Sequence, residues 1–163
     1  MKIRAIAAMA TIGLALAACT PTVPSRGTSD APQRLTFGQS VDIAAVGARV
    51  SALRAQNGLT RPLAHSAPLQ AAAQAHADDM ARTGNFSHTG SNGSTLTTRT
   101  RAASYNACFA AENIAAGQGS VQQVFVDWMN SRGHRRNILA PQATQFGFAR
   151  SGPYYVLVLG RSC

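Results

Sequence analysis

Apolar side chains recur at helical spacing early in the folded part of the chain. The segment begins after Ser40, a residue type that caps helices, and ends before Asn57-Gly58, a pair typical of helix ends and turns. This spacing predicts a first amphipathic helix. Its apolar positions are Ile43, Val46, Val50 and Leu53.

A second segment of the same kind follows. Ser66 is its capping residue, Pro68 is tolerated in its first turn, and Gly84 ends it. His76 falls on its apolar face, so we expect a packed core histidine there rather than a ligand. His65 precedes the cap and is expected at the surface. The apolar face consists of Leu69, Ala73, His76 and Met80.

The middle of the chain alternates between loops and further helices. A shorter helix is predicted over residues 95–104, and residues 109–115 are expected to be extended or irregular. Ser120 caps another predicted helix, which ends near Gly133. Trp128 completes its apolar stripe and is therefore expected in the core. The other members of that stripe are Val121, Val124 and Phe125.

Near the C-terminus the apolar period changes from that of helices to that of strands. Residues 146–150 and 154–159 are aromatic and β-branched runs, and Ser151-Gly152-Pro153 joins them, which predicts a β-hairpin. Helices that come first and strands that come last indicate an α+β domain in which helices cover a small antiparallel sheet. We assign this single domain to residues 39–163, a length that suits one hydrophobic core.

Residues 1–18 have the pattern of a secretory signal peptide. Lys2 and Arg4 precede an apolar run that is too short to span a bilayer. The run ends in Leu16-Ala17-Ala18-Cys19, which resembles the lipobox of bacterial lipoproteins. We therefore predict that Cys19 becomes the acylated first residue. The alternative is an ordinary signal peptide followed by a chance cysteine.

The residues after the predicted cleavage point indicate how the domain is attached. Thr20, rather than Asp, follows Cys19, which by analogy with lipoprotein sorting favours the outer membrane, facing the periplasm. Residues 19–38 are rich in Thr, Pro, Ser and Gly and are expected to form the lipidated end and a flexible tether. The sequence thus predicts a cell-envelope protein whose first partner is a membrane, held through its lipid anchor.

The charged residues of the chain restrict the classes of binding partner that can be expected. The chain has fifteen basic and six acidic side chains, and every basic residue after Arg4 is an arginine. This usage is typical of a GC-rich genome, and it also suits attraction to anionic lipid, wall polymer or nucleic acid. No block of basic residues interleaved with aromatics occurs, so no nucleic-acid partner is expected.

Two cysteines remain after Cys19, namely Cys108 and Cys163. An even pair in a chain bound for an oxidising compartment predicts a disulfide. Neither has a second cysteine two or four residues away, so the spacing does not indicate a thiolate metal site.

Three separate motifs carry a resemblance to a known family. They are Phe86-Ser87-His88, the segment 111–115 (Ala-Glu-Asn-Ile-Ala) and the segment 128–139, which runs from Trp128 to Leu139. Their order and spacing resemble the CAP superfamily of cysteine-rich secretory, SCP-like extracellular domains, especially its short bacterial branch. The similarity extends from about residue 40 to the C-terminus and implies an α-β-α sandwich.

The resemblance also implies a functional cleft. The family lines it with two histidines and two glutamates, and here the matching residues are His88, Glu112 and His134. The fourth position is Ser131. The two imidazoles imply nitrogen ligands for a divalent metal such as zinc, with the carboxylate as ligand or orienting group, and Ser131 lowers the expected affinity.

Other residues near this cleft allow two interpretations each. Glu112, the only glutamate, either belongs to the site or pins its segment by bonding backbone amides or Arg135. Arg132, Arg135 and Arg136 surround His134 in sequence and form either an anion-binding rim or a solvated basic helix end. Asn137 and the two residues after it are expected to be structural.

The resemblance favours a binding or envelope-associated module over an enzyme. Its ligand is expected to be an envelope lipid, glycan or protein. The alternative is a hydrolase in which His88, Glu112 and His134 activate water, with or without a metal. Ser131 and the absence of a Gly-x-Ser-x-Gly motif count against that alternative. A structural envelope protein with a vestigial cleft is a third hypothesis.

Overall fold

The computed structural model of the protein describes residues 41–163. The predicted signal peptide, the lipidated Cys19, the tether to residue 38 and the proposed cap Ser40 lie outside these residues. Within them, no helix is long and apolar enough to cross a membrane.

Five helices and four strands follow one another in the described part of the chain. They are α1 (Ile43–Ala55), β1 (Ala64–His65), α2 (Ala67–Thr83), α3 (Leu96–Ala102), β2 (Ala107–Ala116), α4 (Val121–Asn130), α5 (Arg132–Ile138), β3 (Gln145–Ser151) and β4 (Tyr154–Ser162).

Side-chain caps set the beginnings of the first two helices. The Asp42 carboxylate accepts a hydrogen bond from the Ala45 amide at 3.0 Å and caps α1. Ser66 caps α2 by accepting from the Leu69 amide, as predicted. Gly84 ends α2 in the left-handed conformation, with φ of 70°. The start and end predicted for α2 are therefore confirmed.

The prediction of one helix ending near Gly133 was wrong. The chain is extended at Ser131, which separates α4 from α5, and Gly133 lies inside α5. The Ser131 amide donates to the Asp127 carbonyl and so closes α4, while the Ser131 carbonyl accepts from the Arg135 amide and opens α5. Ser131 thus ends α4 and begins α5, so His134 lies on a separate helix from Trp128.

The sheet has the strand order β1-β3-β4-β2. The predicted hairpin of β3 and β4 is confirmed, and residues 109–115 lie in β2, which pairs antiparallel with β4. The sheet is mixed, because β1 pairs with β3 in parallel beside the three antiparallel strands that form the predicted small antiparallel sheet. A strand of two residues is too short to show an alternating pattern in the sequence.

Helices cover both faces of the sheet. One face packs against α1, α4 and α5 through the alternate residues Phe146, Phe148, Tyr155, Leu157 and Leu159. The other face packs against α2 and α3 through Ile114, Ala149, Val156 and Val158. Gly147 brings β3 against α2, because a Cβ atom there would lie 2.2 Å from the Leu69 backbone. Trp128 is 1% exposed, which confirms its place in the core.

A buried arginine fastens α1 to the segment that follows α5. Arg54 donates to the carbonyls of Ile138 and Ala140, both at 2.8 Å, and of Ala143 at 3.2 Å. Burial lowers the pKa of its guanidinium. A cation at a helix C-terminus also interacts favourably with the negative end of the helix dipole. No role was predicted for Arg54, because an arginine next to an apolar helix position such as Leu53 is usually exposed to solvent.

The disulfide predicted between Cys108 and Cys163 is present in the structure. It joins the start of β2 to the last residue of the chain, next to an irregularity in the pairing of β2 with β4 between Ala107 and Phe109. The Cys163 amide also donates to the Asn106 carbonyl. The start of β2 and the residue that follows β4 are therefore joined both covalently and by backbone hydrogen bonding.

Replacing Arg54 tests this fastening. Arg54→Met should lower the free energy of unfolding by about 3 kcal/mol, because three carbonyl groups lose a charged donor in a buried place. Arg49→Met is the matched control, since Arg49 lies on the same helix and is exposed. Chemical denaturation measures both, and equal stability of the two variants would contradict the role assigned to Arg54.

Candidate functional site

The site is built around the side chain of Glu112. This residue lies in the edge strand β2, is 6% exposed, and points to the sheet face covered by α2 and α3. Three basic groups surround its carboxylate. Arg99 Nη2 is 2.7 Å from Oε2, His88 Nδ1 is 2.9 Å from Oε1, and His76 Nε2 is 3.7 Å from Oε1.

Arg99 was missed at the level of sequence. It lies on α3 and is 7% exposed, and besides Glu112 it donates to the carbonyls of Ser94 at 2.9 Å and His88 at 3.1 Å. The alternative that Glu112 bonds Arg135 was wrong, because Arg135 donates to Asn57 instead. Nothing in the polar sequence of α3 distinguishes Arg99 from the exposed Arg101 two residues later.

His76 is in the core, as predicted, but it also faces the carboxylate. It is 1% exposed, and neither ring nitrogen has a hydrogen-bond partner among the described residues. Burial is the main influence and lowers the pKa of His76. The charge of Glu112 opposes that change, and the charge of Arg99 adds to it. The sequence periodicity predicted that His76 is buried, but it did not predict that His76 faces Glu112.

His88 carries the exposed end of the site. It lies in the loop after α2, its side chain is 58% exposed, and its Nδ1 meets Glu112. A carboxylate accepts hydrogen bonds, so in the neutral imidazole the proton belongs on Nδ1 and the lone pair on Nε2. This arrangement leaves Nε2 as an oriented acceptor, able to bind a ligand donor, a metal or a water proton.

His134 is half-buried on α5. Burial lowers the pKa of His134, and the charge of His88 lowers it further. Its ring centroid is 6.4 Å from that of Trp128. His88 and Glu112 are in hydrogen-bond contact, and the His134 carbonyl is bonded to Asn113, the residue after Glu112; a cleft shared by all three side chains stays a prediction.

Polar side chains fix α4 and α5 against the open edge of β2. Asn137 donates from Nδ2 to the Glu112 carbonyl at 3.1 Å and to Asn113 Oδ1 at 2.9 Å. Asn113 donates in turn to the His134 carbonyl, and the Trp128 ring N–H donates to the Ile114 carbonyl. The structural role expected of Asn137 therefore consists of holding His134 near Glu112.

The three arginines of α5 do not gather around His134. Arg132 and Arg136 are each two positions away, which places them about 200° around the helix, on its other side. Arg135 bonds Asn57 of α1, and Arg136 lines a separate groove of about 510 Å³ beside β2. Of the two interpretations, the exposure of these arginines and the contacts of Arg135 and Arg136 favour the solvated basic helix end over the anion-binding rim.

The residues of the site fit a divalent cation poorly in this arrangement. Between residues 41 and 163, no group of three or more His, Cys, Asp or Glu side chains is placed to hold a metal ion. Both carboxylate oxygens of Glu112 are engaged, one by His88 and the other by the cation of Arg99. Zinc at His88 and His134 stays a prediction, and the function proposed below does not depend on it.

Comparison with known proteins places this site in a family context. A family model described as "CAP: Cysteine-rich secretory protein family" matches residues 48–156, which include His76, His88, Glu112 and His134. The Bacillus subtilis protein YkwD is 35% identical over 97 residues, covering 60% of this chain and 37% of YkwD.

Solved structures show the same fold. An extracellular protein of Bacillus anthracis that contains an SCP domain has a TM-score of 0.70 and 28% identity, covering 73% of this chain and 40% of that one. An outer surface protein of Borrelia burgdorferi has a TM-score of 0.67 and 20% identity, covering 78% of this chain and 100% of its own. The chain spans about two-fifths of the length of the two Bacillus proteins.

The buried His76 should make stability depend on pH. Because its pKa is lowered by folding, the unfolded chain takes up the proton first as the pH falls below about 6.5, and the free energy of unfolding decreases until the lower folded-state pKa is passed. Urea denaturation between about pH 8 and pH 5 should show a weaker pH dependence in His76→Gln than in wild type. His65→Gln, at an exposed histidine, should keep the wild-type dependence. The same slope in all three proteins would contradict the assignment.

Proposed function

The chain belongs to the cysteine-rich secretory protein (CAP) family, and from this membership we propose that it acts outside the cytoplasm as a ligand-binding module. The ligand binds at His88, Glu112 and His134. The observation that carries the proposal is the hydrogen bond of 2.9 Å between His88 Nδ1 and Glu112, which orients an otherwise exposed imidazole. The names of the Bacillus anthracis and Borrelia burgdorferi proteins, extracellular and outer surface, support the location.

The proposal is supported by the way the site is prepared before any ligand arrives. Arg99 neutralises Glu112 and bonds the His88 carbonyl, so the loop and the ring of His88 are both held. Asn113 bonds the carbonyl of His134. A prepared site binds more tightly, because less side-chain freedom is lost on binding. The expected ligand is an envelope lipid, glycan or protein group that offers a donor to His88 Nε2.

A hydrolase is the second candidate, and the same hydrogen bond favours it. A carboxylate that holds Nδ1–H keeps Nε2 basic, which is how an acidic residue prepares the histidine of a catalytic triad. Here His88 Nε2 would take a proton from water as the water oxygen attacks the substrate, and would return that proton to the leaving group while Glu112 holds the ring. Arg99 works against this step, because its charge already compensates the carboxylate.

We further propose that the domain is a lipoprotein held at the outer membrane and facing the periplasm. The support is the sequence Leu16-Ala17-Ala18-Cys19 with Thr20 after it. Residues 19–38 would connect the acylated Cys19 to the domain. Such a tether keeps the site near the envelope, where ligands of that compartment are concentrated.

Removal of the anchoring cysteine tests the location. Cys19→Ala should move the protein from the membrane fraction to the soluble fraction, because stable anchoring requires the acyl chains. Mass spectrometry of the wild-type N-terminus should show fatty acids on Cys19. Cys108→Ala is the control that changes a cysteine of the folded domain and should leave the protein in the membrane fraction. An unmodified wild-type N-terminus beyond Cys19 would refute the lipoprotein proposal.

Analysis of co-purified molecules tests the site. Protein isolated from its own envelope should carry a lipid, glycan or other organic ligand, and His88→Ala should lose at least about nine-tenths of it, a tenfold loss that corresponds to one good hydrogen bond. His65→Ala is the matched control at an exposed histidine distant in sequence from the site motifs. Elemental analysis of the same samples measures zinc.

The outcomes separate the two candidates. An organic ligand that depends on His88, with no turnover of it, supports the binding module. Conversion of that ligand by wild type and not by His88→Ala supports the hydrolase. Equal ligand content in wild type, His88→Ala and His134→Ala would place binding elsewhere and contradict both.

A further inference from the structure

Phe86 is a large aromatic side chain that the fold leaves in contact with solvent. It is 51% exposed, and the other large apolar side chain exposed in the described part of the chain is Val126, at 40%. The Phe86 ring stacks on that of Tyr154, with 6.2 Å between the centroids and 27° between the planes. Because about half of Phe86 remains exposed, this stack holds the ring in place and still leaves part of its surface open to a ligand.

Phe86 and His88 belong to the same loop and are both exposed. They are two positions apart, so their Cα atoms are separated by at most about 7 Å. Internal hydrogen bonds fix this loop: the Thr89 amide donates to the Ser87 hydroxyl at 3.1 Å, and Arg99 donates to the His88 carbonyl at 3.1 Å. A single small ligand can therefore contact both the aromatic ring and the imidazole.

The sheet holds the two rings from one of its faces. Ala116, the partner of Tyr154, lies four residues after Glu112 on β2, so the side chains of Glu112 and Tyr154 point to the same face. His88 is bonded to Glu112, and Phe86 is stacked on Tyr154. The two points of attachment are about 13 Å apart along the strand. The exposed surface between them is therefore elongated rather than compact.

The charge balance at His88 favours a neutral ligand. Glu112 is paired with Arg99 at 2.7 Å, so the carboxylate that orients His88 is already compensated. In the neutral imidazole Nε2 is a hydrogen-bond acceptor, and it needs an O–H or N–H donor from the ligand. The loop thus selects a molecule that is apolar on one face, where it meets Phe86, and that carries uncharged hydrogen-bond donors at its edge.

We propose that the ligand of the His88 site is a neutral glycan and that Phe86 stacks against the face of one of its sugar rings. This inference rests on the binding function proposed for His88 and names the ligand class. A pyranose ring has C–H groups on its faces and hydroxyl or acylamino groups around its edge, so it matches both Phe86 and His88 Nε2. The acyl chain of a lipid instead requires an enclosed apolar cavity, whereas the stack of Phe86 on Tyr154 is an open surface.

Binding of a soluble glycan to the full chain tests the ligand class. The probe is the trimer of β-linked N-acetylglucosamine, whose sugars combine C–H faces with amide N–H donors. The comparison compounds are trialanine, a peptide, and dihexanoylphosphatidylglycerol, a lipid. Saturation-transfer NMR, in a detergent without a sugar headgroup, measures each affinity. Wild type should bind the glycan at least about tenfold more tightly than either comparison compound.

Variants at Phe86 test the stacking. Phe86→Leu keeps an apolar side chain but removes the aromatic ring, so it should weaken glycan binding about fivefold, while Phe86→Tyr restores the ring and should bind within about twofold of wild type. Val126→Ala is the matched control at the other exposed apolar side chain, on α4, and should bind like wild type. Because Phe86 is exposed, all three variants should unfold at close to the wild-type temperature.

Three results would overturn the inference. The first is no saturable binding of the glycan to wild type at millimolar concentration, and the second is equal glycan affinity in Phe86→Leu and wild type. The third is binding of trialanine or of the lipid, lost in His88→Ala, in place of the glycan; this would contradict the glycan while supporting the proposed function. Unchanged glycan binding in His88→Ala would instead contradict the proposed function and this inference together.

Discussion

The pairing of Glu112 with Arg99 is the interaction on which the site depends. An ionised carboxylate inside a protein is strongly unfavourable unless a cation and hydrogen bonds compensate for lost water. Arg99 supplies the cation at 2.7 Å and donates two further hydrogen bonds to the carbonyls of Ser94 and His88. The group that makes the burial of Glu112 tolerable therefore also holds the loop that presents His88. Arg99 thus both compensates the charge of Glu112 and fixes the loop that carries His88.

The position of β2 at the edge of the sheet explains how residues from distant segments meet. An edge strand leaves every second carbonyl without a strand partner. Here the carbonyls of Glu112 and Ile114 accept from Asn137 and Trp128, which fixes α4 and α5 beside the edge. The side chain of Glu112 meanwhile points to α2 and α3. The edge strand is thus bonded to α4 and α5 through its carbonyls and to α3 through the Glu112 side chain.

The sequence predicted those features that depend on local patterns. The caps and periodicity of α2, the β3–β4 hairpin and the core position of Trp128 follow from residues close together in the chain, and the family follows from three short motifs in a fixed order. The missed features depend on long-range hydrogen bonds. Arg99 and Arg54 owe their roles to carbonyl and carboxylate groups in other elements and loops, and no periodicity marks an arginine as buried. The break at Ser131 was missed because a residue bonded through its backbone to both helices leaves no side-chain signature.

Ser131 shows how the chemistry of this cleft can change while the fold stays the same. At the position where the family resemblance implies a second glutamate, the structural work is done by the backbone, which closes α4 and opens α5. A hydroxyl therefore replaces a carboxylate without loss of the helix junction. The charge of the cleft changes nonetheless: its one remaining carboxylate is matched by Arg99, so the imidazoles of His88 and His134 face no uncompensated negative charge. The binding function proposed for this site therefore relies on hydrogen bonding through His88 Nε2 rather than on attraction of cations.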